Sequence, residues 1–178
     1  MAVDATQMKG ALKALDTLLP EKMELLIGGG AAFVLAHQIP LATMDIDGLP
    51  YKTGIALANL DSLIKKIAKK LNLPNDWLNP YFSTFTYSLP KDYSGRLVPV
   101  YKGKKLLASA LGKEDLLIMK CFAGREKDVL HARALLKKGL DTKLVSNHLH
   151  RCVEENLPKA GEALDFFYET CEQMGIEI

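Results

Sequence analysis

Cysteine is scarce in this chain: Cys121, Cys152 and Cys171 are odd in number, far apart and without CxxC spacing. That excludes a disulfide-built fold, gives no basis for a zinc or dithiol redox centre, and fits a reducing cytoplasm. An excess of charge of one sign is also missing. With 23 Lys+Arg against 21 Asp+Glu the formal charge is +2, so the chain as a whole does not read as a dedicated nucleic-acid binder, while local patches stay open. No apolar run approaches the roughly 20 residues of a membrane span. The first residues lack the basic segment and apolar core of a signal peptide. The expectation is a soluble, cytoplasmic protein with no membrane partner. Repeats and low-complexity segments are absent too. What is present is 178 residues, 48% of them apolar, enough for one domain or for one compact core with an added helical lobe.

Periodicity organises that length. Asp4 and Gln7 are spaced as a capping box ahead of Met8, Leu12, Leu15 and Leu19 at helical intervals, which predicts an amphipathic helix over 4–19, before Pro20. Met23 to Ile27 reads as a buried strand, Gly30 to Gln38 as a helix stopped near Pro40, and Thr43 to Leu49 as the next strand. Asp61 to Leu71 reads as a helix with Leu63, Ile64, Ile67, Ala68 and Leu71 inward. Its lysines, 65, 66, 69 and 70, then form a solvated face, with a nucleic-acid patch as the sharper alternative. Residues 73–91 read as a loop holding a short strand at Tyr81 to Tyr87, and 97–101 with 105–108 as a hairpin turned at Lys102-Gly103-Lys104. Helices are expected over 113–138, 141–155 and 158–174. The fold class is therefore α+β: a small mixed sheet packed with helices over residues 1–110, then a helical C-terminal lobe over 111–178.

The chemistry-bearing pattern lies in the strand, glycine turn, helix, strand unit. Gly28-Gly29-Gly30 follows the strand Met23 to Ile27, and Asp45-Ile46-Asp47 follows fifteen residues after the last glycine. On a strand, Asp45 and Asp47 point the same way about 7 Å apart. Two carboxylates on one ledge seat Mg²⁺ well, since that ion favours carboxylates plus substrate phosphates. Glycines at a helix start let phosphate approach backbone N–H groups closely. Together they point to an enzyme that moves a nucleotide. The plainer alternatives are a surface strand ending in an Asp-Gly turn and a tight strand-to-helix turn.

Other motifs fail on the residues. A dinucleotide fingerprint needs glycine where Phe33 stands, and a P-loop needs Gly-Lys-Ser or Gly-Lys-Thr. A calcium loop fails because Ile46 is apolar where a ligand must sit, and no nucleophile elbow occurs. His148 falls on a stripe with Leu144, Val145 and Cys152, which reads as a packed histidine in preference to a metal ligand.

Gly29-Gly30 followed by Asp45-Ile46-Asp47 resembles the nucleotidyltransferase superfamily. More narrowly, the chain resembles uncharacterised bacterial and archaeal nucleotidyltransferase-like proteins related to abortive-infection toxin enzymes. That likeness rests on Ile27 to Ala32, Thr43 to Asp47, Asp76-Trp77-Leu78-Asn79, and Glu114 to Lys120 running into Ala123 to Asp128. The resemblance implies a nucleotidyltransferase-like core that moves a nucleotide from an NTP to a hydroxyl on RNA or protein, with Mg²⁺, or Mn²⁺ in its place, on Asp45 and Asp47. It further implies nucleotide binding by Gly28, Gly29, Gly30, Thr43, Lys120 and Arg125, catalytic assistance from Lys120, and a toxin paired with an antitoxin protein. Were the helix over 113–138 continuous, Lys120, Gly124, Lys127 and His131 would share one stripe. The expected third carboxylate is missing from Arg96 to Tyr101, with Asp76 and Asp92 the nearest in sequence. A nucleotide-binding or partner-binding module with weakened catalysis is the alternative on the same fold. The aromatics Trp77, Tyr81, Phe82, Phe85 and Tyr87 read either as core or as a wall for a base.

Overall fold

The computed structural model describes residues 4–80 and 83–178, and places them in two compact units, Met1–Phe82 with Leu97–Leu111, and Ser83–Arg96 with Gly112–Ile178. The first unit holds a five-stranded mixed sheet in the order β3-β2-β1-β5-β4. Its strands are β1 (Met23–Ile27), β2 (Ile46–Lys52), β3 (Leu78–Asn79), β4 (Val98–Lys102) and β5 (Leu106–Ala110). Central β1 runs antiparallel to β2 and parallel to β5, and β5 pairs antiparallel with β4. The run Leu25, Leu26, Ile27 is fully buried, as a central strand covered on both faces requires.

Three helices complete this unit: α1 (Ala5–Leu18), α2 (Gly29–Leu35) and α3 (Leu57–Leu71). The Asp4 carboxylate accepts the Gln7 N–H at 2.8 Å and the Gln7 side chain accepts the Asp4 N–H at 3.0 Å, the expected capping box. Leu60, Ile64, Ile67 and Ala68 carry the inner face of α3, and Lys65, Lys66, Lys69 and Lys70 are exposed. Trp77 is buried and donates its indole N–H to the Ile64 carbonyl at 3.0 Å, so it is a core residue with its one donor satisfied.

The second unit is helical: α4 (Lys113–Ala123), α5 (Glu126–Lys137), α6 (Thr142–Glu154) and α7 (Ala160–Gln173), with short 3₁₀ turns at Thr86–Ser88 and Tyr93–Arg96. Arg96 clasps the buried Asp115 with two hydrogen bonds, of 3.0 and 2.8 Å, tying the 83–96 segment to α4. His148 bonds the Ser88 carbonyl at 2.7 Å and is packed in the helical lobe.

Several boundaries differ from expectation. Helix α2 stops at Leu35, because Gln38 turns left-handed (φ 52) and the Ile39 N–H reaches back to the Phe33 carbonyl. Strand β2 starts at Ile46, placing Asp45 in the bend before it. Helix α3 starts at Leu57, one turn before Asp61. The expected strand 81–87 is replaced by the pairing of Leu78–Asn79 with Ile46 and Asp47 and by the turn Thr86–Ser88; Tyr81 and Phe82 lie outside the described residues. The helix expected over 113–138 is two helices. Gly124 adopts φ +56, a conformation cheap only for glycine, and its N–H closes α4 on the Lys120 carbonyl. The proposed continuous stripe from Lys120 to His131 is thereby broken.

Candidate functional site

The site in the first unit is built where β1 ends and β2 begins. The Gly28 N–H donates to the Asp47 carbonyl at 2.9 Å, extending the β1–β2 ladder into the glycine turn. Gly29 then takes φ +54 and opens α2. A Cβ on Gly29 would lie 2.0 Å from Asp47 Oδ2, so the turn and the carboxylate are in direct contact and only a residue without a side chain fits. Gly30 packs under Thr43, whose hydroxyl donates to the Asp45 carbonyl at 3.0 Å. Gly28, Gly29, Gly30, Thr43, Asp45 and Asp47 are thus one cluster. The first N–H groups of α2 have no acceptor within the helix.

Asp45 and Asp47 are both half-buried and flank the buried Ile46, the alternation that puts them on one side of the chain. Burial, then the like charges of Asp47 and Asp76, push the Asp45 carboxyl above the ordinary range, with the Thr43 hydroxyl opposing. Asn79 donates its side-chain N–H to Asp47 Oδ1 at 3.1 Å, held there by the pairing of β3 with β2. Beside Asp45 opens a cleft of about 300 Å³ to which Asp61, Lys65, Asp76 and Asn79 also contribute. Among the described residues no group of three or more acidic, histidine or cysteine side chains is gathered at metal-binding distance. The donor set is a pair of carboxylates with Asp76 acting on it through space. It suits an ion that takes one or two carboxylates and completes its shell with water or phosphate oxygens, as Mg²⁺ does.

Lys120 and Arg125 lie in the second unit, where both converge on Asp128. Lys120 Nζ is 2.8 Å from Asp128 Oδ1 and Arg125 Nε is 2.7 Å from Oδ2. Asp128 is fully buried. Burial alone would raise its carboxyl, but the hydrogen bonds from Arg125 and Lys120 override that and hold it at about 2. His131 Nδ1 stands 3.5 Å from the same carboxylate, and burial followed by the Lys120 charge lowers the imidazole below its usual range. Two permanent cations around one carboxylate leave this cluster with net positive charge. The break at Gly124 makes the convergence: Arg125 begins α5, and its N–H is accepted by Asp128 Oδ2 at 3.3 Å. Asp92, one of the two nearest acids in sequence, is taken by Arg96 at 3.0 Å.

Asn79 and Asp128 were not singled out from the sequence for a role, although both stand inside motifs that carry the resemblance. The signal was the local register: Asn79 falls opposite Asp47 only through the two-residue strand β3, too short to produce a periodic pattern.

A family model described as "Nucleotidyltransferase of unknown function (DUF6036)" matches residues 6–168, from α1 into α7. No curated protein and no solved structure matches the chain.

Proposed function

We propose that this chain, which belongs to that nucleotidyltransferase family, moves a nucleotide from an NTP to a hydroxyl acceptor, with Mg²⁺ or Mn²⁺ on Asp45 and Asp47. The observation that carries the reading is the contact between the Gly29 turn and the Asp47 carboxylate. It joins a backbone suited to phosphate to a side chain suited to a cation, with no room for anything between them.

In the reaction the acceptor oxygen bonds to the α-phosphorus while the bond to pyrophosphate breaks and the hydroxyl proton passes to solvent water. When bound, the ion supplies neutralisation of the phosphate charge and orientation for in-line attack. The protein's part is placement. Asn79 and the Gly28 N–H fix Asp47 at its side chain and its carbonyl respectively, and Thr43 fixes the bend that carries Asp45. Gly28, Gly29 and Gly30 would cradle the phosphates. For Lys120 and Arg125, which Asp128 orders within the second unit, the resemblance implies nucleotide binding. A protein or RNA acceptor, cytoplasmic action and pairing of a toxin with an antitoxin are narrower forms of this reading, carried by the resemblance.

Asp47→Asn is expected to abolish Mg²⁺-dependent incorporation of labelled nucleotide while the melting temperature stays near wild type. Undiminished incorporation would sink the assignment. The pair of carboxylates without a third, among the described residues, favours one second reading: a nucleotide-binding module with weakened catalysis. Calorimetry with NTP and Mg²⁺ separates the two, since the module binds tightly and yields no product.

A further inference from the structure

The end of the sheet opposite the glycine turn carries a row of lysines. Lys52 ends β2, Lys22 precedes β1, Lys105 precedes β5 and Lys102 ends β4, so four neighbouring strands each bring one lysine to the same edge. The register fixes this alignment: Glu24 pairs with Lys52, Met23 with Leu106, and Lys102 with Leu107. With strands about 4.8 Å apart, the row extends about 14 Å. These four lysines, with Lys104 from the hairpin turn, line a cleft of about 400 Å³ together with a single carboxylate, Glu24.

The neighbouring acids offset only part of the row, with the three carboxylates of Glu24, Asp16 and Glu21 set against its five lysines. Glu24 is engaged by Lys52 at 3.2 Å and by the Tyr51 hydroxyl at 2.6 Å. Asp16 accepts the backbone N–H groups of Lys104, Lys105 and Leu106 at 3.1, 2.7 and 2.7 Å, and Glu21 accepts that of Gly54 at 2.6 Å. Lys105 Nζ donates to the Leu19 carbonyl. Lys22, Lys102 and Lys104 are exposed and belong to no ion pair among the described residues.

We propose that this lysine row binds the phosphate backbone of a single-stranded nucleic acid that serves as the acceptor. The acceptor role rests on the nucleotidyl-transfer reading above; the binding does not. A linear series of cations matches a linear series of phosphates, whereas one compact phosphate would use only part of it. Tyr51 at the same end is occupied by the fold, its ring lying under Lys52 Nζ at 5.4 Å and its hydroxyl bonded to Glu24, so the proposal rests on the lysines alone. The five residues of β1 set the separation from the glycine turn at about 16 Å, and because β1 itself is covered, a strand docked on the row reaches Asp45 and Asp47 only by passing around the outside of the unit.

The test is fluorescence anisotropy of the full chain with labelled single-stranded RNA and, separately, DNA of the same sequence, without NTP or Mg²⁺. Binding of at least one strand is expected, with a log–log salt slope of about −2 to −3 for three or four displaced counterions. The triple variant Lys22→Glu, Lys102→Glu, Lys104→Glu is expected to weaken it about tenfold or more and to flatten the slope. Lys66→Glu, Lys69→Glu, Lys70→Glu makes the same charge change on the exposed face of α3 and should leave affinity within about twofold. Absence of binding by the wild type, equal loss in both triples, or equal competition by free pyrophosphate or anionic vesicles overturns the proposal. A wild type that binds the strand but, given NTP and Mg²⁺, transfers no nucleotide to it would instead refute the nucleotidyl-transfer reading.

Discussion

Gly29→Ala tests the contact on which the site reading stands. Two costs arise and they separate. Alanine in the left-handed region costs about 1–2 kcal/mol. The second is steric: the new Cβ would lie 2.0 Å from Asp47 Oδ2, whereas real Cβ contacts stay above 3.0 Å, so the carboxylate must retreat by about the difference, 1 Å. That retreat takes Asp47 Oδ1 away from the Asn79 N–H, now at 3.1 Å. A hydrogen bond to a charged group contributes about 1.5–3 kcal/mol, reduced here because Asp47 is only half-buried and water can replace the donor. The total, about 2–4 kcal/mol, lowers the melting temperature by roughly 5–12 °C in a chain of this size. A reacting group displaced by about 1 Å loses on the order of 100-fold in turnover. Calorimetric melting and labelled-nucleotide incorporation read the two effects. Gly10→Ala is the control, since that glycine is in α1 with nothing within 4 Å of the added carbon and should gain up to about 1 kcal/mol. A double-mutant cycle with Asp47→Ala isolates the contact with the carboxylate: without it, the backbone cost and the 3.2 Å approach to the Asp47 Cβ remain. Additivity of the two substitutions, or a Gly29→Ala protein that melts and turns over like wild type, refutes the reasoning.

Asp128→Asn removes the carboxylate that gathers Lys120 and Arg125. The folded pKa of about 2 lies below the ordinary 3.8, so the ionised group contributes stability above the ordinary value, lost as pH falls through the folded one. The shift corresponds to about 2 kcal/mol in a fully buried group, and urea midpoints compared at about pH 5 and about pH 2 should fall less in the variant than in wild type. Equal acid sensitivity refutes the pairing as its source. Asp76→Asn should move the Asp45 titration down, since Asp76 is one of the like charges raising it. A raised carboxyl contributes stability below its ordinary pKa and loses it as pH rises through the folded value, so this variant should also be more stable than wild type at neutral pH; an unchanged Asp45 titration by carboxyl NMR counts against it.

Elements whose signal is local were legible in the chain. The capping box of Asp4 and Gln7, the apolar run Met23 to Ile27 and the hairpin around Lys102-Gly103-Lys104 each specify their own geometry over a few residues. The misread boundaries depend on partners far along the chain. Nothing near Leu78 and Asn79 identifies a strand, because their pairing is with Ile46 and Asp47. Gly124 is tolerable inside a helical pattern, and what ends α4 is its left-handed backbone together with the extended Arg125 that caps α5. The glycine turn and the two carboxylates were legible as residues of the right type and spacing. Their direct contact was not, since a spacing gives no information on which oxygen a missing Cβ would meet.

The carboxylates of this chain sort by what surrounds them. Asp16 is lowered because, against burial, three backbone N–H groups and the Tyr101 hydroxyl surround it. Asp128 has an ammonium and a guanidinium, and Asp115, though raised by burial, has both arms of Arg96. Each is compensated by groups of the fold itself. Asp45 differs: burial raises it, and its neighbours Asp47 and Asp76 add to the rise, with only the Thr43 hydroxyl and backbone opposing. Such a grouping costs stability at neutral pH, and Lys65, the cation that lines the same cleft, pairs with Asp61. The absence of a side chain at Gly29 leaves Asp47 its place in this grouping, since an added Cβ would lie 2.0 Å from Oδ2. Local stability and local geometry therefore pull in opposite directions at this place in the first unit, as the proposed seat for a positive ion and its phosphates requires.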